Sequence, residues 1–354
     1  MPISKTLPNN SVQQTSTNVE SHAIYAALAG GVIGFITGLI VFSGGNVTLF
    51  ERGISLGFVV AILGGVLAIA TYLFVAIARL GRVNSAWGYI RHRVNIWTLA
   101  LVHGLLAFLL YALLFYVVAQ SFIGARLDVW ASSTLTALAA GLACYAVYLS
   151  AKKINAVRVS VLLAIFLVSG TFISMLTASD PQWWYYHFSS LGASGGVSAY
   201  AFNATLIIAG LVVVALTKYI TDDFAKLHTV HTKMNKIRRT TFQALLASMG
   251  IALAFVGAFV YDAFPLIHNI SASGMAVLFL LIVLLLPWLM PQFNKAYFLA
   301  SYLLLVALAI AVWLFASVQY FNLTVFELVA AAIIFTWLIV FVRNMAALLE
   351  DTCR

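Results

Sequence analysis

The sequence predicts an all-α polytopic membrane protein with ten transmembrane helices and both termini cytoplasmic. Three observations carry that reading. Hydrophobic residues make up 63% of the chain and charged residues 8%, against about 25% charged in a soluble domain. A water-facing surface for 354 residues cannot be built from so few charges, so the bilayer is the solvent. Ten apolar segments of roughly 20 residues follow one another, the length that crosses ~30 Å of hydrocarbon at ~1.5 Å per residue. Sustained two-residue alternation, the mark of a membrane barrel, is missing. Finally, the basic residues collect in alternate loops, as the positive-inside rule requires.

The elements follow in order. Residues 1–21, rich in Ser, Thr, Asn and Gln, read as a disordered cytoplasmic tail; a cleavable signal peptide would place its apolar core nearer the start. The predicted spans are 23–43, 54–78, 97–120, 130–150, 157–178, 199–219, 241–261, 268–290, 296–316 and 322–345, with a cytoplasmic tail at 346–354. With the N-terminus inside, only Arg52 and Arg126 of the 19 basic residues fall in outer loops. A miscounted helix would scramble that partition. The net charge of +9 is therefore assigned to topology and anionic lipid, not to nucleic acid. Cys144 and Cys353 form no metal pattern and no expected disulfide.

Ala26, Gly30, Gly34 and Gly38 recur every four residues on the first helix, a stripe that lets a neighbouring helix approach closely. Gly57, Gly64 and Gly65 read the same way on the second. The segment 79–96, with four arginines, His92, Trp87 and Tyr89, reads as an interfacial cytoplasmic loop. The other large inner loop, 218–240, holds Asp222, Asp223, His228 and His231. His228 and His231, with Asp223, could in principle bind zinc, but the neighbouring lysines oppose a cation, and a charged extension of the helix above is the reading adopted. Near residue 150 the style changes. Few polar residues interrupt the first four helices beyond His103 and Gln120, whereas the last six carry polar motifs at their outer ends. The chain is accordingly divided into a four-helix membrane unit at 22–150 and a six-helix membrane unit at 151–345.

The longest outer polar stretch runs from Ser179 to Asn203. It holds Asp180, the pair Trp183 and Trp184, His187, Ser189, Ser190 and a glycine-rich approach to the sixth span, with Asn203 one turn inside it. A second outer motif, residues 261–274, is a hairpin of about six residues. Asp262 ends one helix, Pro265 suits the turn, and His268 opens the next helix. Glu327 lies about one and a half turns into the last span from the outer side. The outer-facing charges are thus mostly carboxylates: Glu51, Asp128, Asp180 and Asp262.

His-Phe-Ser-Ser-Leu-Gly at 187–192, Phe-Asn at 202–203, Phe-Pro at 264–265, and His268 followed by Ala272, Ala276 and Phe279 resemble the membrane family called domain of unknown function 998. The pattern is also distantly similar to the Frag/DRAM/Sfk group of six-helix proteins. The resemblance covers roughly 157–345 and leaves the first four helices unexplained. It implies a six-helix module. Through the eukaryotic group it points loosely to lipids, without implying an activity.

Three functions suit these residues. The first is binding or handling of a lipid or lipid-linked ligand at the extracytoplasmic face by His187, Ser189, Ser190, Asn203, Asp262, His268 and Glu327. Serines and backbone amides before the sixth span would hold an anionic headgroup, as helix N-termini do, and the tryptophans would anchor the loop. The second is secondary transport of a small molecule; no ATP-binding loop is present, no inverted repeat is clear, and few ionisable residues lie within the spans. The third is a metal-dependent membrane hydrolase, with zinc on His187, His268 and Asp262, although neither HExxH nor GxSxG occurs. In that reading Ser190 becomes a nucleophile if a histidine meets it. The expected setting is the cell membrane, with membrane lipids as partners and no nucleic acid. No cofactor is predicted, zinc being the one candidate, and whether the chain is an enzyme stays open.

Overall fold

The computed structural model describes residues 10–51, 53–78, 86–193, 195–228 and 236–352. Among them ten helices are long and apolar enough to cross a membrane, and the protein is a multi-pass membrane protein of the all-α class with almost no sheet. The chain divides into two compact units, 1–154 and 155–354.

In the first unit, α1 (Asn10–Val41) packs along α4 (Val129–Lys152). The glycine stripe is the seam. A Cβ on Gly34 would stand 2.8 Å from the Thr136 carbonyl oxygen, and one on Gly38 would stand 2.6 Å from Ser133 Cα. Only hydrogen fits at those points, which is how small residues bring two helices within backbone contact. The same device joins α2 (Leu56–Ile77) to α3 (Ala86–Ser121), where Gly65 faces the Gly104 carbonyl. Two short strands, β1 (Val47–Thr48) and β2 (Arg126–Leu127), pair antiparallel and tie the α1–α2 loop to the α3–α4 loop. Asp128 caps α4 by accepting from the Trp130 and Ala131 amides at 2.7 and 3.1 Å. His103 is buried with both ring nitrogens engaged. Nδ1–H donates to the Leu99 carbonyl at 2.7 Å, and Nε2 pairs with the Ser150 hydroxyl at 2.9 Å. The ring stacks on Tyr72.

Several helices outrun the predicted spans. Helix α1 begins at Asn10, within the stretch expected to be a disordered tail through residue 21. Once a membrane span nucleates a helix, each further residue adds a hydrogen bond at little cost, and polar residues without Pro or Gly do not stop it. Glu20 accepts from the Tyr145 hydroxyl of α4. Likewise α3 starts at Ala86, so the segment expected as a loop through 96 is helical over its second half.

The second unit contains α5 (Ala156–Leu176), a 3-10 turn (Trp183–Tyr185), the single turn α6 (Ser190–Ala193), α7 (Gly196–His228), α8 (Lys236–Ala258), α9 (Pro265–Leu289), α10 (Lys295–Ala316) and α11 (Leu323–Thr352). Helix α7 continues to His228, so the expected charged extension of that helix is present; His231 lies outside the described residues. Helix α7 touches α5, α8 and α11. On the α5 side, Ser174 and Ser198 each donate a hydroxyl to the other's carbonyl at 2.9 Å. On the α8 side, Gly210 and Gly250 bring the backbones together. An aromatic core of Phe242, Phe279, Phe293, Trp337 and Phe341 joins α8, α9 and α11. It carries one polar atom, the Trp337 indole N–H, which donates to Ser301 at 3.1 Å. Leu303, Val306 and Ile310 of α10 stay exposed, the surface expected where acyl chains are the solvent.

Candidate functional site

The polar residues converge at one end of the six-helix unit, where the α5–α7 segment, the α8–α9 turn and the first turns of α11 meet. Local sequence sets each piece. After α8 ends at Ala258, six residues turn the chain and Pro265 opens α9 at its first position; its fixed φ and missing N–H suit that position. His268 therefore falls in the first turn of α9. Asn322 caps α11 by accepting from the Val325 amide at 2.9 Å, and its amide group donates to the Trp184 carbonyl at 3.2 Å. The approach to α7 passes through Gly195 and Gly196 at φ +73° and +66°, which L side chains rarely adopt.

A helical turn begins at His187: the amides of Ser190, Leu191 and Gly192 donate to the carbonyls of His187, Phe188 and Ser189 at 3.0, 3.3 and 3.0 Å. The amides just ahead have no partner within that turn. Glu327 of α11 supplies one. Its carboxylate accepts from the Phe188 N–H at 2.5 Å and faces the Ser189 amide. The Ser189 hydroxyl lies 3.4 Å from Glu327 Oε1 and 3.0 Å from His268 Nε2. His268 Nδ1–H donates to the Phe259 carbonyl at 2.9 Å, because a carbonyl can only accept. Glu327, Ser189 and His268 thus form one line across three elements, with Ser189 and His268 only 6% and 3% exposed.

His187 sits beside this line. Its ring packs on Tyr261 at 4.5 Å between centroids, and Tyr261 meets the His268 ring edge-on at 5.7 Å. Its Nδ1 is buried with no hydrogen-bond partner. Burial pushes the imidazole below its usual range, the nearby Asp262 carboxylate opposes this, and His268 adds to it. Asp262 is exposed. Trp184, Tyr185 and Tyr186, just ahead of His187 on the loop, are exposed, with Trp184 and Tyr185 stacked.

The structure brings His187, Ser189, Asp262, His268 and Glu327 together and gives the others supporting roles. Ser190 meets no histidine; its hydroxyl donates to the Trp183 carbonyl at 3.2 Å and closes the loop. Asn203 donates to the Gly192 carbonyl at 3.0 Å, so it holds the turn in place. Asp180 receives the Gln182 amide at 2.8 Å. Of the amides in this segment, those of Phe188 and Ser189 face Glu327, which brings a carboxylate of its own to that end. Tyr261 and the Phe259 carbonyl were not legible as partners in the sequence. Tyr261 lies within the 261–274 motif, but nothing in the pattern says that it separates two histidines.

The chemistry this allows is limited. Among the described residues no three His, Cys, Asp or Glu side chains stand as a group that could hold a metal ion. His268 has both nitrogens engaged by Phe259 and Ser189, so it offers no lone pair to zinc. Ser189 with His268 has the composition of a nucleophile and its base, yet the amide best placed to hold an oxyanion is bound to Glu327. What remains is a buried hydrogen-bond line from Glu327 through Ser189 to His268, next to a half-buried imidazole with an unsatisfied nitrogen.

No curated protein and no solved structure matches the chain. A family described as protein of unknown function (DUF998) matches residues 161–344. That match covers just over half of the chain and contains every residue from His187 to Glu327. The match falls within the six-helix unit, and the chain belongs to the DUF998 family.

Proposed function

We propose that the six-helix unit binds a lipid or lipid-linked ligand at the extracytoplasmic face of the cell membrane, with His187 as its polar contact. The observation that carries this reading is the unpartnered, buried Nδ1 of His187, lodged on Tyr261 and near Asp262, on a loop whose preceding residues Trp184, Tyr185 and Tyr186 are exposed. A buried polar atom without a partner costs about 1–3 kcal/mol, so a ligand group that bonds it gains that much. Aromatic side chains with polar edges favour headgroup depth, where an amphiphile offers such a group. The basic partition of the loops supports the outward orientation.

The test is crosslinking of a photoreactive phospholipid to the purified protein in nanodiscs, with the adducts mapped by peptide mass spectrometry. Adducts are expected on 177–195 or on Tyr261. His187→Ala should lower their yield about tenfold, the equivalent of one charge-assisted hydrogen bond. Equal yield in wild type and His187→Ala would refute the assignment.

A further inference from the structure

We propose that Glu327, Ser189 and His268 form a one-proton binding site that latches the α5–α7 loop to α9 and α11. The argument is a count of hydrogens. Three atoms stand in line, His268 Nε2, Ser189 Oγ and Glu327 Oε1, with two contacts between them, at 3.0 and 3.4 Å. Nδ1 of His268 already spends a hydrogen on the Phe259 carbonyl, so in the neutral ring Nε2 is an acceptor only. An ionised Glu327 also only accepts. The single Ser189 hydroxyl hydrogen then faces two acceptors and can serve one. The unequal distances agree: the shorter contact is on the histidine side and the longer, weaker one is on the carboxylate side.

One added proton completes the line. It binds Nε2, the Nε2–H donates to Oγ, and the hydroxyl turns to donate to Glu327. Both contacts then hold a hydrogen, and the imidazolium faces the carboxylate across one oxygen. Equivalently, the proton rests on Glu327 and the hydroxyl returns to His268; the total is the same. Low local dielectric strengthens the opposite charges, while Glu327 keeps the Phe188 amide throughout. The other titratable groups beside this line are His187 from the loop and Tyr261 from the α8–α9 turn, with Asp262 of that turn acting on His187. His187 opposes a second positive charge here. The site takes its proton without any ligand, so this inference stands apart from the lipid reading.

The full chain in lipid nanodiscs, labelled with ¹⁵N-histidine and ¹³C-carboxyl glutamate, tests this by magnetic resonance across pH, with His268→Gln and Glu327→Gln assigning the signals. In the wild type, the His268 ring and the Glu327 carboxyl should respond at one shared midpoint. In Glu327→Gln, which removes the countercharge, His268 should bind its proton at least about tenfold more weakly, a midpoint about one pH unit lower. Ser189→Ala should weaken it in the same direction and uncouple the two signals. Separate midpoints in the wild type overturn the proposal, and that measurement needs no altered side chain in the line. An unchanged His268 midpoint in either variant overturns it as well.

Discussion

His187 and His268 are both imidazoles at the same end of the same unit, and their surroundings ask opposite things of them. His268 has a partner for each nitrogen and a carboxylate one oxygen away. His187 has a buried nitrogen with none, and burial lowers its proton affinity. The sign for His187 follows from linkage. Its folded value lies below the unfolded one of about 6.5, so between the two the unfolded chain binds more protons and stability rises with pH. The contribution is whole above about 6.5 and is lost as pH falls through the folded value. Thermal unfolding of wild type and His187→Gln between about pH 8 and pH 5 tests this: the variant should lose less on acidification. A parallel loss in both proteins would mean that His187 is not held neutral by the fold.

At the scale of helices, glycines set the spacing, and their effects differ by position. A Cβ on Gly210 would stand 2.4 Å from the Gly250 carbonyl oxygen, a backbone atom that cannot swing aside. Gly210→Ala should therefore push α7 from α8 and cost about 1–3 kcal/mol, the usual penalty of overpacking. Gly274, on α9, has nothing within 4 Å of the same point. Gly274→Ala should be neutral or stabilise by up to about 1 kcal/mol, since alanine restricts the unfolded chain. Melting temperatures of the two variants in one detergent check the contrast, which equal shifts would contradict. This scale was largely legible beforehand. Segment length and apolarity located ten helices, and the Gly30, Gly34 and Gly38 stripe marked the α1–α4 seam. The helix ends were less legible, because hydropathy stops at the bilayer edge while hydrogen bonding does not; α1, α3, α7 and α11 all run further than their apolar cores. The site was legible in part. Polar residues at helix ends in an apolar chain named His187, His268 and Glu327, but which of two adjacent serines faces a histidine depends on how a one-turn helix is rotated. Glu327 fixes that rotation from 138 residues away along the chain.

For the molecule as a whole, sidedness decides what the site can meet. The basic residues leave only Arg52 and Arg126 in the odd-numbered loops, and each misplaced Lys or Arg at a helix end weighs against an orientation. Ten spans with an even count return the C-terminus to the side of the N-terminus. The α5–α7 loop, the α8–α9 turn and the start of α11 then lie on the opposite side, and the charge rule predicts that this side is extracytoplasmic. A cysteine at Asp180 reads this directly, since the residue lies in the loop and its carboxylate accepts from the Gln182 amide two residues on. In a background of Cys144→Ala and Cys353→Ser, Asp180→Cys in intact cells should react with a membrane-impermeant maleimide as fully as it does after lysis. A cysteine replacing Arg343, near the far end of α11, should react only after lysis. The reverse pattern would put the His187 loop in the cytosol. It would also transfer the lipid proposal to the inner leaflet, and the proton line would then titrate against cytoplasmic pH instead of the exterior.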